Sequence, residues 1–300
     1  MADDPLAELA ALVTAHARSD MTTAIDGLLA SSVTDTSPEY SLTEPLVVVM
    51  VQGGKRLLLG DRVFEYRAGE ILVVSAQLPV SGGFIDCGPQ APALAVGLVL
   101  RPQAIAELLL RDPGAPRREG TRTAMATGRA EPALLDATLR MMRLLDSPAD
   151  AAVLAPLIEQ EMLWRLLRGP QAGVVAQIGS AGSGLAYINR TIRWIRQNYA
   201  EPLRVADLAA MAGMSPSAYH RQFRAVTEMS PLQFQKRIRL QEARALLVAQ
   251  PGDIAGVGHL VGYDSPTQFS REYRRLFGAP PGRDAARLGA AHGVRAAHLP

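Results

Sequence analysis

The sequence predicts an α+β chain. A small N-terminal β-barrel with flanking helices is followed by an all-α domain holding two helix-turn-helix units. Three observations carry this. Residues 46–100 alternate short runs rich in Val, Leu and Ile with glycine turns at roughly 8–12-residue spacing, the pattern of a small barrel or sandwich. Residues 132–168, and most of the chain beyond 184, carry apolar residues at helical spacing. A ten-residue pattern recurs at an offset of 50 residues. At 300 residues the chain is long enough for two domains with separate cores. The expected division is 1–175, 184–285 and a tail over 286–300.

The elements are expected in this order. Leu6, Leu9, Val13 and Ala17, with Ile25 and Leu28 further on, predict one amphipathic helix over 5–30. The Ser, Thr and Pro of 31–44 predict a loop. Leu46–Val51 is a Val-rich strand ended by the turn Gln52-Gly53-Gly54. Lys55–Leu59 and Arg62–Tyr66 form a hairpin about Gly60-Asp61. Gly69-Glu70 precedes a strand over Ile71–Ser75. Ser81-Gly82-Gly83 reads as a turn before Phe84–Cys87, and Leu94–Leu100 closes the series. Pro102 opens a helix to Leu110, and 111–130 reads as an irregular crossover. Helices follow over Pro132–Leu145 and Ala149–Arg168; Pro156 moves the start of the second to Ala155 if proline is confined to a first turn. Their apolar positions exceed what one face against a small barrel needs, which predicts dimerisation through 132–168. The glycine-dense 169–184 includes the linker, and Ile188, Ile192 and Ile195 begin the second domain.

Residues 215–224 read SPSAYHRQFR and residues 265–274 read SPTQFSREYR. Ser215 and Ser265 are N-caps whose hydroxyls accept first-turn amide protons. Pro216 and Pro266 sit at the first helical position, where no donor is missed. Tyr219/Phe223 and Phe269/Tyr273 are i,i+4 pairs, giving each helix one aromatic stripe toward a core. The opposite faces hold Ser217, His220, Arg221 and Arg224 in the first unit. In the second they hold Thr267, Gln268, Ser270, Arg271, Arg274 and Arg275. Polar faces of this kind fit a major groove. A helix precedes each, Val205–Met211 before Gly213 and Asp253–Leu260 before Gly262, with the second turn one residue longer. Glycine supplies the positive φ of such a turn. Between the units, Ser230-Pro231 caps a helix to about Ala249, roughly 30 Å long. Successive major grooves on one face of a duplex lie ~34 Å apart.

Charge agrees with this placement. Residues 184–283 carry 14 Lys+Arg and 7 Asp+Glu, a net +7, against −5 for the remainder. A basic segment in a chain of overall charge +2 points to a polyanion partner. No apolar run approaches the ~20 residues needed to span a bilayer, and the N-terminus lacks a secretory pattern. The single cysteine, Cys87, excludes an intrachain disulfide and suits a reducing cytoplasm.

Residues 186–285 resemble the DNA-binding domain of the AraC/XylS family of transcription regulators, most specifically in Val261–Pro281, VGYDSPTQFSREYRRLFGAPP. The Pro45–Ser81 block and the 132–168 helices resemble the regulatory domain of one branch of that family. The resemblance implies a cytoplasmic, often dimeric activator or repressor that binds double-stranded DNA and answers to a small-molecule effector. RNA polymerase is a further partner that an activator would meet. Two departures stand out. Glu228 replaces the glycine that usually ends the first recognition helix, at a cost of about 1 kcal/mol if it adopts αL; Gly278 keeps it in the second. Gly256 and Gly258 lie where alanine is more usual, each costing roughly 1 kcal/mol of helix stability.

Lys236, Arg237 and Arg239, together with Arg274 and Arg275, read as phosphate-holding or solvated cations. A cupin-like barrel enzyme fused to a DNA-binding module is the alternative function. Cupin metal sites need clustered His and carboxylate ligands. The histidines are His16, His220, His259, His292 and His298, none between residues 40 and 110, so no metal, cofactor or catalytic residue is expected. The barrel is expected to be the effector site, with Tyr66, Gln77 and Cys87 as candidate lining residues. Cys87 has two readings, a buried small apolar side chain or a sensor thiol.

Overall fold

The computed structural model describes residues 4–111, 123–180, 184–250 and 252–291. The chain divides near Ala186/Tyr187 into two compact units.

In the first unit, α1 spans Pro5–His16, capped by Asp4, whose carboxylate accepts the Leu6 amide at 3.0 Å. It buries Leu9 and Val13 and stops there. The single helix expected over 5–30 is not formed. Asp20 accepts bonds from the Thr22 amide and hydroxyl, and Met21 takes φ +62°. Such local side-chain bonds compete with helix. Leu28 instead opens strand β1, Leu28–Val33, and β2 follows at Glu39–Leu42, within the span read as loop. Both strands exist through long-range pairing, β1 with β8 (Ala93–Val99) and β2 with β7 (Pro79–Ile85).

Between them lie β3 (Leu46–Gln52), β4 (Gly54–Leu59), β5 (Arg62–Arg67) and β6 (Glu70–Val74). Gly82 and Gly83, read as a turn, lie inside β7. A Cβ at Gly82 would meet the Arg56 carbonyl of β4, so this strand needs glycine for close backbone approach. After helix α2, Pro102–Arg111, the expected crossover falls partly at 112–122, outside the described residues. It ends in an unexpected strand, β9 (Met125–Arg129), paired with β6.

All pairings are antiparallel and form two sheets, ordered β1-β8-β3-β6-β9 and β2-β7-β4-β5, which do not close into one hydrogen-bonded barrel. The five-stranded sheet is the middle layer. Val47, Val49, Ile71, Val73, Val96 and Leu98 share a core with Leu9 and Val13 of α1 and with two further helices, α3 (Pro132–Arg143) and α4 (Pro148–Arg168). By alternation, buried Val48, Met50, Leu72 and Val74 face the other way, toward the second sheet's Leu57, Phe64, Tyr66, Val80 and Phe84. Burial on both faces explains why β3 reads as a continuous apolar run.

Helix α4 starts at Pro148 and runs through Pro156, so proline is not confined to its first turn. The lost backbone bond falls on the exposed side, beside Ala152, where water can satisfy the freed carbonyl. Helix α5, Ala172–Gly179, occupies half of the glycine-dense stretch; 181–183 lie outside the described residues. Its Gly179 lets it approach the α2 backbone at Ala106, which a Cβ would meet at 2.7 Å.

Because α1 docks through two fully buried side chains, Leu9→Ala is expected to destabilise the first unit by about 2–5 kcal/mol. Urea unfolding of the full chain followed by far-UV dichroism measures this; an unchanged midpoint would mean that α1 is not part of the core.

Candidate nucleic-acid interface

The second unit is all helical. Helix α6 (Gly184–Gln197) buries Ile188, Ile192 and Ile195. Next come α7 (Val205–Met211) and α8 (Pro216–Thr227), then the long α9 (Pro231–Ala249). Then come α10 (Ile254–Leu260), α11 (Pro266–Phe277) and α12 (Pro281–Ala291). The α7–α8 and α10–α11 pairs are the two helix-turn-helix units. Gly213 and Gly262 take φ +67° and +88° in their turns. The Met214 and Tyr263 amides reach back to the Ala209 and Gly258 carbonyls at 2.9 Å, closing both helix ends.

The caps act as the residue types predict. Ser215 and Ser265 accept the Ala218 and Gln268 amides, each at 3.3 Å. Ser230 and Gln233 form a reciprocal capping box at the start of α9. Tyr219, Phe223, Phe269 and Tyr273 are all fully buried. The Tyr219 hydroxyl donates to Thr191 Oγ1 at 3.1 Å, and the Phe223 ring meets Phe234 of α9 edge-on, with centroids 5.4 Å apart. With one side anchored, α8 exposes Ser217, His220, Arg221 and Arg224, and α11 exposes Thr267, Gln268, Arg271, Arg274 and Arg275. Ser270 is half-buried. None of the five arginines Arg221, Arg224, Arg271, Arg274 and Arg275 makes an ion pair among the described residues.

Two residues on α9 carry structure that the sequence reading missed. Gln235 donates to the Tyr199 and Glu201 carbonyls at 2.9 and 2.6 Å. One turn on, Arg239, read as a phosphate-holding or solvated cation, donates to carbonyls of Tyr199, Ala200, Glu201 and Gly262 at 2.6–3.1 Å. Its planar fork thus ties the α6–α7 connection to the second unit's turn. Lys236 is also engaged, 2.9 Å from Glu272. Burial opposes the Glu272 charge, but bonds from Lys236, Tyr263 and Gln268 outweigh it and hold the carboxyl below its ordinary range.

The first helix-turn-helix ends with Glu228 at φ +57°, the strained αL position anticipated for it, where Gly278 takes φ +77° in the second. Gly258 lies against Phe269, which a Cβ would meet at 3.0 Å, so its lower helix propensity accompanies tight packing of α10 on α11. In α12, Asp284 is fully buried and accepts from Arg244 at 2.8 Å, Tyr273 at 2.9 Å and Arg287 at 2.7 Å. Burial raises its pKa, but Arg244, then Arg287 and Tyr273, overcome this and leave it lowered.

In the first unit, Tyr66 is fully buried between the sheets. Gln77 is half-buried and bonds Glu44 at 2.5 Å. Cys87 is half-buried just beyond β7, and burial, the largest influence on it, pushes the thiol pKa up. Among the described residues no three His, Cys, Asp or Glu side chains cluster as metal ligands; His292 and His298 lie outside them. No described helix is long and apolar enough to cross a membrane.

Two outcomes follow from the α9 and α12 contacts. Arg239→Met should cost about 1.5–3 kcal/mol of stability, with no rescue by Arg239→Lys, which lacks the fork; chemical unfolding checks both. Because the Asp284 pKa is lowered on folding, its contribution is present above the unfolded value, about 3.9, and lost as pH falls through the folded one. Asp284→Asn should therefore lower stability at neutral pH and flatten its decline below about pH 4; thermal unfolding from pH 3 to 7 reads both.

The family model for the AraC-type transcriptional regulator N-terminus matches residues 24–174, and that for a helix-turn-helix domain matches residues 208–287. The HTH-type transcriptional activator RhaS of Pectobacterium carotovorum subsp. carotovorum (strain PC1) is 30% identical over 105 residues, 35% of this chain and 38% of that one. RhaS of Yersinia pestis bv. Antiqua (strain Angola) is 26% identical over 124 residues, 41% and 45% of the two chains. The chain thus spans less than half the length of these curated relatives. Among solved structures, ToxT of Vibrio cholerae O395 is similar with a TM-score of 0.53 at 9% identity, over 87% of this chain and 98% of that one. A second ToxT structure from that strain, bound to a naphthalenyl-butenoic acid, gives 0.55 at 10% identity, over 88% and 100%. The two ToxT likenesses extend over both units of the chain. With the regulator's N-terminal model covering half of its length, the chain belongs to the AraC-type transcriptional regulators.

Proposed function

We propose that this regulator reads one face of a DNA duplex with both recognition helices, under control of a small organic effector bound by the two-sheet domain. The observation that carries the reading is the pair of helices α8 and α11. Each is held by buried aromatics and presents arginines that make no ion pair among the described residues. Arg221 and Arg271 hold equivalent places in the repeat and are assigned to base edges. Ser217, His220, Thr267, Gln268 and Ser270 share those faces. Arg224, Arg274 and Arg275 are assigned to the backbone, where contacts position rather than specify.

Effector control draws support from the family and from the ToxT structure solved with an organic acid. On this reading regulation lies in 1–175, DNA binding in 184–285 and a tail in 286–300, of which 292–300 lie outside the described residues. The relatives are transcriptional regulators rather than enzymes, and a cytoplasmic location suits that role. The chain is read as a homodimer joined through 132–168. Val153, Leu154 and Leu157 of α4 are exposed there, and Leu154 and Leu157 line a surface groove of about 370 Å³ with Arg140 and Glu161. An activator of this kind would also meet RNA polymerase.

Arg221→Ala and Arg271→Ala are each expected to weaken specific binding by about 1–3 kcal/mol and to relax base preference at positions one helical turn apart. Selection of sites from random DNA with the full chain and each variant reads this. Relaxation confined to one half of the site would mean that only one unit reads sequence, and affinity insensitive to salt would remove the phosphate contacts.

A further inference from the structure

The inner face of the four-stranded sheet carries a charged pair. Lys55 Nζ of β4 lies 3.1 Å from Glu39 Oε2 of β2. Strand register explains how they meet. Lys55 stands opposite Tyr66 on β5 and opposite Phe84 on β7, and its ammonium lies 4.1 Å from the centre of the Phe84 ring. Glu39 stands opposite Gly82, and Gly82 opposite Leu57. No side chain at residue 82 separates β2 from β4, so Glu39 reaches across β7 to the ammonium.

Lys55 is 1% exposed, in a row with Tyr66 and Phe84. Removing two charges from water costs several kcal/mol per ion, and an apolar pair of similar size would serve stability as well. The two partners also differ in freedom. Strand β4 lies inside its sheet, bonded to β7 and β5, whereas β2 is a four-residue edge strand, half-buried throughout. Lys55 has nowhere to go, but Glu39 can turn outward to water. When it does, the buried ammonium beside the Phe84 ring loses that carboxylate. Burial lowers the pKa of this lysine and Glu39 raises it in part, so the ammonium form depends on a carboxylate beside it. The hydroxyl of Ser31, 1% exposed, is unpaired among the described residues. Ser31 lies on the sheet-facing side of β1, the edge strand joined to β2 by residues 34–38.

We propose that the effector is a small organic monocarboxylate whose carboxylate replaces that of Glu39 at Lys55, its apolar part lying beside Phe84 and toward the β2 edge. This rests on the reading of the two-sheet domain as the effector site. A cationic ligand is disfavoured, since it would have to expel Lys55 from an interior strand.

The test uses the full-length protein with butyrate, hexanoate and benzoate, each against its uncharged amide, read by thermal shift and by affinity for a selected DNA site. At least one acid should raise the melting temperature while its amide does not. Glu39→Gln, which removes the internal competitor, should tighten that acid about ten-fold, and Lys55→Met should weaken it about ten-fold or more. Equal shifts by acid and amide, an acid affinity unmoved by Lys55→Met, or no acid acting on either the natural protein or Glu39→Gln would each overturn the proposal. Should Lys55→Met fail to fold, the direction of the Glu39→Gln effect decides alone. An uncharged compound that alters DNA affinity regardless of residue 55 would sink the carboxylate assignment and leave effector control standing. An acid that binds as expected but leaves DNA affinity unchanged would do the reverse.

Discussion

A recognition helix that must offer its polar side chains to a duplex can be held only by its opposite face. In both units of this chain that face is two aromatic rings one turn apart. Tyr219 and Phe223 on α8, and Phe269 and Tyr273 on α11, are fully buried, and each tyrosine hydroxyl has a partner in the second unit. Buried rings supply large apolar area with few rotors to order. The caps, turn glycines and exposed arginines are arranged around that anchorage, since rotation of either helix about its axis would bury a guanidinium.

The repeat is symmetric in these anchors and asymmetric elsewhere. Helix α9 contributes Phe234 and Gln235 to the first half, Lys236 and Arg244 to the second, and Arg239 to both. The second unit gains a buried network at Asp284 and an αL glycine at its recognition-helix end, whereas the first ends on a strained Glu228. One sequence pattern thus supports two units held by different contacts. Hydrogen bonds by charged groups to buried carbonyls and carboxylates are costly to break singly, and these are concentrated in a few residues of α9 and α12.

The first unit solves a different problem. Its five-stranded sheet is buried on both faces, by helices on one side and by the second sheet on the other. A layer so enclosed tolerates apolar side chains readily, which makes the Lys55–Glu39 pair between the sheets conspicuous. Of Tyr66, Gln77 and Cys87, the residues singled out from sequence, only Tyr66 lies in the same row as that pair. Cys87 lies just beyond β7, half-buried, with burial the largest influence raising its thiol pKa.

The second unit was largely legible in the sequence because its signals are local. A serine cap, a proline at the first position, rings four apart and a glycine in the turn each act within one or two turns of helix. Their repetition 50 residues on removed the ambiguity. The polar faces of α8 and α11 follow from the same spacing. The strands were less legible in proportion to the distance of their partners. The hairpin of β4 and β5 was evident from its turn, but β1, β2 and β9 exist only through pairing with strands about 40–70 residues away, and residues 20–28 mimic helical spacing without forming a helix. A strand's backbone bonds go to another segment, so its own composition cannot name that segment. For the same reason only the tertiary structure decided that Arg239 serves carbonyls rather than phosphates, that Gly82 belongs inside a strand, and that Glu39 reaches Lys55 across it.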